Sequence, residues 1–300
     1  MSIVTSAGLS SVLDEVVGAL GMESFYQEAF MMPNIYSVRQ SNRRRERSAS
    51  VAGLTLWTAK NPNQSVAEDS LIQQFEKTYT HTPLGKKIPV ERELIDDEEF
   101  GLLQDIGQQI GATAAQTMET DAVSPFNDAF AGATHQAEDG LSICNTAHKN
   151  VDGGNSQSNS KTLALSAANV DTLRIAHRKI TNHRGDKMSL RPRLLVVPVE
   201  LDATAYEIVK SVGKPGTANN DLNFYNGVFD SITWDFLTGT KAWFMLDPAV
   251  MKRNMLWYQR VGVEIFGDGD LFAGTRTLGG YMRYSLGCKD WRGIMGSNPA

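Results

Sequence analysis

One stretch constrains the architecture of this chain more than any other. From Asp96, DDEEFGLLQDIGQQIGATAAQTMETDAV places Phe100, Leu103, Ile106, Ile110, Ala114 and Met118 or Thr117 on one stripe at helical spacing. Acids crowd the first turn, where carboxylates complement the exposed amide groups of a helix start. At 1.5 Å per residue the stripe predicts a helix over 96–122, about 40 Å long. Gly107, Gly111, Ala112, Ala114 and Ala115 keep this rod thin, so another backbone can approach it closely. Ser124-Pro125 is then expected to cap a short second helix through Phe130, with proline at its first position.

Upstream the texture changes. VAGLTLWTA is β-prone, and QQFEKTYTHT alternates Phe75, Lys77, Tyr79 and His81 against Gln74, Glu76, Thr78 and Thr80. With NPNQ as turn chemistry, strands over 50–60 and 70–80 predict a hairpin with a polar loop of about 12 residues. Two strands alone are marginal in water, so the hairpin must lie against something else. Ahead of it, Leu9, Val12, Leu13, Val16, Val17 and Leu20 predict a helix that Gly21 stops. Pro33 and an arginine-rich segment follow, and with little apolar material they predict an arm rather than a domain.

Downstream, NVDGGNSQSNS over 150–160 reads as a flexible polar loop. Ser166 is placed to cap a helix reaching about His183, with Val170, Leu173, Ala176 and Ile180 inward. LLVVP at 194–198 reads as a buried strand. Asp202 to Val212 reads as a helix with Ala205, Ile208 and Val209 inward. Strands are expected over 228–237 and 241–246, joined by Thr238-Gly239-Thr240, and again over 256–266 and 276–295. The mixture is α+β, without an internal repeat.

Charge narrows the possible partners. The chain has 29 basic and 34 acidic residues, a net −5, which argues against binding nucleic acid by bulk attraction. The distribution is uneven: 39–47 holds five arginines against Glu46, 91–105 seven acids against Arg92, and 174–193 seven Lys/Arg against Asp186. Such patches form solvated faces or suit contacts between copies, and the last one could also take phosphate. Two cysteines, Cys144 and Cys288, exclude a disulfide framework and a thiolate zinc cage and fit a reducing compartment. No apolar run is long enough for a membrane span, and the N-terminal stretch lacks the basic region of a signal peptide.

Motifs for chemistry are weak. Ser158 to Lys161 fits S-x-x-K, but in a polar loop, and Ser285 lacks the glycine-flanked elbow of a hydrolase nucleophile. Cys144 and His148, with His135 and Asp139 nearby, could be drawn as a dyad or metal site but fall short of a ligand set. FGDGDLF at 266–272 lacks the distal glutamate of a calcium loop, and no nucleotide-binding glycine motif occurs. The expectation is a protein that is not an enzyme and needs no cofactor or metal.

Six segments carry a resemblance: FEKTYTHTPLGKKIPVERELIDDEEF; PFNDAF; EDGLSICNTAHKNVDGGNSQSN; RPRLLVVPVELDATAYEIV; KAWFMLDP; and GGYMRYSLGCKDWRGIMG. In this order, over about residues 74–296, the chain resembles the major capsid protein of tailed double-stranded DNA phages, the Hong Kong 97-like fold. More narrowly it looks like the Mu-type major head subunit family. The resemblance implies an N-terminal arm over 1–49 and an extended loop over 50–82 that reaches over a neighbouring subunit. It further implies a peripheral domain over 83–160 and 273–300 with its spine helix at about 96–122 and one long returning strand, and an axial domain over 161–272. It implies a protein that assembles with itself in hexamers and pentamers into an icosahedral shell, in the host bacterial cytoplasm and then in the virion. The shell would hold packaged double-stranded DNA by non-specific contact. Because fewer than 50 residues precede the hairpin, a separate scaffold protein is expected, beside a portal and cement or decoration proteins. On this reading the contact candidates are Arg43, Arg44, Arg45 and Arg47 on the arm, Trp57 and Phe75 on the hairpin, and Glu91, Glu93, Asp96, Asp97 and Glu98 at the acidic start of the spine. The alternatives are an encapsulin-like shell around protein cargo and a hydrolase built on Cys144 and His148.

Overall fold

The fold is taken from a computed structural model, which describes residues 6–66, 68–91, 93, 101–151, 156–213, 222–270 and 275–299. Helices α1 (Ser6–Gln27), α2 (Met32–Ile35) and α3 (Leu102–Asn127) belong to the first half of the chain. Strands β1 (Ser37–Gln40), β2 (Arg45–Val51), β3 (Gln73–Thr80) and β4 (Thr82–Glu91) lie between α2 and α3. The second half contributes β5 (Ser160–Lys161), α4 (Ala167–Arg178), β6 (Leu194–Val197) and α5 (Asp202–Lys210). It continues with β7 (Asp230–Thr233), β8 (Trp243–Leu246), α6 (Pro248–Asn254), β9 (Met255–Asp270), β10 (Thr275–Cys288) and β11 (Ile294–Ser297).

The long rod is present but shifted. It begins at Leu102 because Gly101 holds φ +70°, a left-handed conformation that a right-handed helix cannot pass through. It ends at Asn127 and not at residue 122, and no separate second helix starts at Ser124-Pro125: Pro125 lies inside α3. Proline lacks the N–H that would bond the Asp121 carbonyl, and the Ser124 hydroxyl donates to that carbonyl instead at 2.7 Å. Leu103, Ile110 and Met118 are buried as their spacing predicts, and Glu119 is buried beside them against expectation.

Close packing explains the glycines. α1 lies along α3, and a Cβ on Gly111 would stand 1.8 Å from the Gly21 carbonyl oxygen. Gly21 is therefore a crossing point inside α1 and not its stop. The segment around Pro33 is also less bare than its sequence suggests, since Met32, Ile35 and Tyr36 enter the main core.

Two sheets organise the rest. One has the order β1-β9-β10-β4, with β9 and β10 as a long antiparallel pair whose one face carries α3. The other has the order β5-β11-β8-β6-β7. The expected hairpin of strands over 228–237 and 241–246 does not form: β6 lies between β7 and β8, parallel to the first and antiparallel to the second. Nor is 276–295 one strand. β10 stops at Cys288, and after a short 3₁₀ turn at Trp291–Gly293 the chain enters the second sheet as β11. β6, β8 and β11 are buried along their whole length, as strands covered on both faces must be. Ser166 caps α4 by accepting from the Asn169 amide, and the helix ends at Arg178, short of His183. The polar loop of 150–160 is partly interior. Asn159 is fully buried, accepting from the Asn145 amide at 2.8 Å and donating to Ile143 and Ile294 carbonyls.

The main core joins both sheets. Phe126 of α3 meets Trp234 and Phe244 with ring centroids 5.5 and 5.3 Å apart, and Trp257 stacks on Tyr284 at 4.3 Å. Glu119 accepts from the Met32 amide at 3.0 Å and from Trp234 Nε1 at 2.8 Å, tying α2, α3 and the β7–β8 connection together. Burial raises its pKa, and the two donors act against that shift.

Candidate inter-subunit surfaces

The hairpin starts earlier than its apolar run suggests. β2 is Arg45–Val51, pairing with β3 from Arg45↔Thr80 to Val51↔Gln73. VAGLTLWTA is therefore mostly not a strand: residues 52–72 form a long loop. The alternation in β3 holds, with Phe75 half-buried, Tyr79 and His81 buried, and Glu76, Thr78 and Thr80 exposed. The loop presents Leu54, Leu56, Trp57, Val66 and Leu71 outward, Trp57 being 97% exposed. Its neck is closed by Asp69, which accepts from the Thr55 amide at 2.7 Å and the Thr55 hydroxyl at 3.0 Å. Arg184 reaches across to Asp69 at 3.3 Å.

The base of the hairpin is clasped to the body. The Lys77 ammonium donates to the Gln136 and Cys288 carbonyls, and burial lowers its pKa. Tyr79 packs on Tyr258, and the Phe75 ring meets His183 edge-on. Glu138 accepts from Ser48 at 3.4 Å, and its carboxyl is pushed up to about 7 chiefly by burial. Phe75 is thus an intramolecular anchor, whereas Trp57 touches nothing that would bury it.

The arginine candidates divide. Arg43, itself exposed, lies 3.9 Å from the half-buried Glu46, and Arg47 lies 3.5 Å from Glu76 as an exposed pair worth little in water. Arg44 and Arg45 point outward. Arg39, the first arginine of the 39–47 run, lies on β1, and two further arginines that no run in the sequence marks, Arg260 of β9 and Arg283 of β10, stand by Ser41 and His81. His81 sits between the Ser41 and Ser285 hydroxyls at 3.0 Å each. Its pKa is lowered first by burial and then by Arg283 and Arg260, with Glu46 opposing. Of the acidic candidates, Glu91 and Glu93 are exposed at and beyond the end of β4, while Asp96, Asp97 and Glu98 lie outside the described residues.

The nucleophile candidates do not meet. Cys144 is buried in the main core, and its thiol is pushed far up by burial and then by Cys288. His148 stacks on Trp291 at 4.1 Å and spends its two ring nitrogens on Asp139 at 2.6 Å and Asn159 at 3.1 Å. A protonated thiol and an imidazole committed elsewhere are the wrong state for nucleophilic attack. Among the described residues there is no cluster of His, Cys, Asp or Glu able to hold a metal, and no helix long and apolar enough to cross a membrane.

The fold thus combines a hairpin whose loop bears bare apolar residues, a long helix laid on one sheet and a second sheet buried at its centre. The phage capsid protein family model matches residues 75–295, and the chain belongs to that family. Solved structures share the fold. The mature capsid protein of bacteriophage PhiM1 superposes with a TM-score of 0.60 at 13% identity, covering 91% of this chain and 89% of that one. A chain of Microbacterium phage Oxtober96 gives 0.58 at 10% identity over 91% and 92%. The procapsid of bacteriophage JBD30 gives 0.55 at 15% identity over 99% of this chain and 76% of that one. No curated protein matches the sequence. The molecule is a major capsid protein with a Hong Kong 97-like fold, a structural component of a multi-subunit icosahedral shell and hence of the virion.

Proposed function

We propose that copies of this chain close their shell through the hairpin and the charged ends, as a Mu-type major head subunit around packaged double-stranded DNA. The observation that carries this reading is Trp57, 97% exposed near the likewise exposed Leu54 and Leu56 of the same loop. Exposed apolar groups this concentrated belong to an interface. On this reading the units are the arm over 1–49, the extended loop over 50–82, a peripheral domain over 83–160 and 273–300, and an axial domain over 161–272. Arg43, Arg44, Arg45 and Arg47, with Glu91, Glu93, Asp96, Asp97 and Glu98, supply charge between copies. Phe75 holds the base of the hairpin. The buried Cys144 and the engaged His148 support a purely structural role without catalysis. A separate scaffold protein, the portal and cement proteins complete the assembly.

The test is negative-stain microscopy with light scattering of the expressed chain, alone and with its scaffold. Shells, tubes or capsomers are expected, and the substitution Trp57→Ala is expected to abolish them without unfolding the chain. A wild-type chain that stays monomeric under all these conditions would sink the reading. Particles that purify with protein cargo and no DNA would replace the genome by cargo.

A further inference from the structure

The inference rests on the shell reading and concerns how neighbouring copies engage. The β4–β10 ladder runs from Thr82↔Tyr284 to Glu91↔Thr275. At about 3.3 Å per residue its ends stand about 30 Å apart. At the first end Arg39, Arg43, Arg260 and Arg283 gather near Glu46. Arg260 donates to the Ser41 carbonyl at 3.4 Å, Ser41 donates to Glu46 at 2.8 Å, and Arg43 stands 3.9 Å from Glu46. Arg283 Nε is buried and has no hydrogen-bond partner among the described residues. That Nε edge lacks an acceptor, and the two oxygens of a carboxylate match a guanidinium fork.

The other end has the opposite sign. Glu91 and Glu93 are exposed there, as is Asp268, which faces Thr277 across the β9–β10 ladder. Arg276 at this end already has a partner. Salt screens exposed charges beyond about 8–10 Å at ordinary ionic strength, so the two ends do not neutralise each other within one chain. A head-to-tail contact between the two ends would repeat one rotation from copy to copy, and such a contact makes a ring when that rotation closes.

We propose that the basic end, centred on Arg260 and Arg283, receives Glu91 and Glu93 of a second copy in a head-to-tail contact. Phosphate would also suit these guanidinium groups. The carboxylate is favoured because every copy carries the complementary end on the same sheet.

The test is charge exchange, read by sedimentation and microscopy of the full chain with its scaffold. Glu91→Arg with Glu93→Arg changes exposed side chains, and Arg260→Glu avoids disturbing the more deeply set Arg283. Each reversed end is expected to lower the assembled fraction about tenfold or more, because like charges then face each other. The melting temperature should stay unchanged. All three substitutions in one chain should restore assembly. Unchanged assembly of the Glu91/Glu93 variant, or failure of the triple variant to recover, would overturn the proposal. So would an Arg260→Glu variant that assembles normally but loses binding to short duplex DNA in a filter assay. If the wild-type chain never assembles, the shell reading itself fails, and that outcome is separate from these.

Discussion

Two regions of this molecule treat the same residue type in opposite ways. In the β8 region Trp243, Phe244, Met245 and Leu246 are fully buried, enclosed by β6, β11 and the helices. In the 52–72 loop Leu56 and Trp57 are 74% and 97% exposed. Burial of a large apolar side chain stabilises by about 1.5–3 kcal/mol, so the first region stabilises the monomer, and on the proposed reading the second keeps that free energy for a partner. On that reading assembly covers what the fold of one chain leaves bare.

Substitutions can break this contrast, in decreasing order of effect on the monomer. Phe244→Ala removes a ring packed between Phe126 and Phe130 and should cost about 3–5 kcal/mol in urea unfolding. Glu119→Ala strands two buried donors, the Met32 amide and Trp234 Nε1, at about 2–4 kcal/mol by the same measurement. Gly111→Ala forces α1 off α3 and should cost about 1–3 kcal/mol, with faster amide hydrogen exchange in the turns of α1 around Gly21.

A pH series sharpens the comparison at the hairpin base. Glu138 has a pKa raised from 4.5 to about 7, so it binds its proton more tightly in the native state. The stability this gives is full below about pH 4.5 and is lost as pH rises through about 7. The shift corresponds to at most about 3 kcal/mol, and to about 1–2 kcal/mol once solvent screening of this half-buried group is allowed for. Glu138→Gln should flatten the stability profile between pH 5 and 8 in thermal melts. An unchanged profile would show that another group titrates there. Smallest of all, Trp57→Ala should move monomer stability by no more than about 0.5 kcal/mol while removing assembled particles.

Much of the architecture is legible in residue spacing. The α3 stripe of Leu103, Ile110 and Met118, the alternation of β3, the Ser166 cap and the buried LLVV strand all follow from local periodicity and hydrogen-bonding chemistry. The errors share a cause. Gly21 looks like a stop because glycine ends helices, but here it lets two backbones touch. Pro125 looks like a helix start, but a neighbouring serine repairs the missing bond and the helix continues. VAGLTLWTA looks like a strand because its apolar residues favour one, yet only Val51 pairs in a ladder, and Leu54, Leu56 and Trp57 stay exposed. The candidate surfaces divide in the same way. Arg39 to Arg47 stand out as a run, whereas Arg260 and Arg283 are scattered singly and join it only where β1, β9 and β10 converge.

The sequence alone determined the long thin helix, the second strand of the hairpin, the mixed α+β class and the net −5 that argues against bulk attraction to nucleic acid. Those are properties of neighbours along the chain, where periodicity and local charge carry the information. Tertiary structure alone decided that β6 separates β7 from β8, that Glu119 joins three elements, and that charges distant in sequence gather at opposite ends of one sheet. Each of these depends on residues brought together across a large part of the chain, and local pattern holds no record of such meetings.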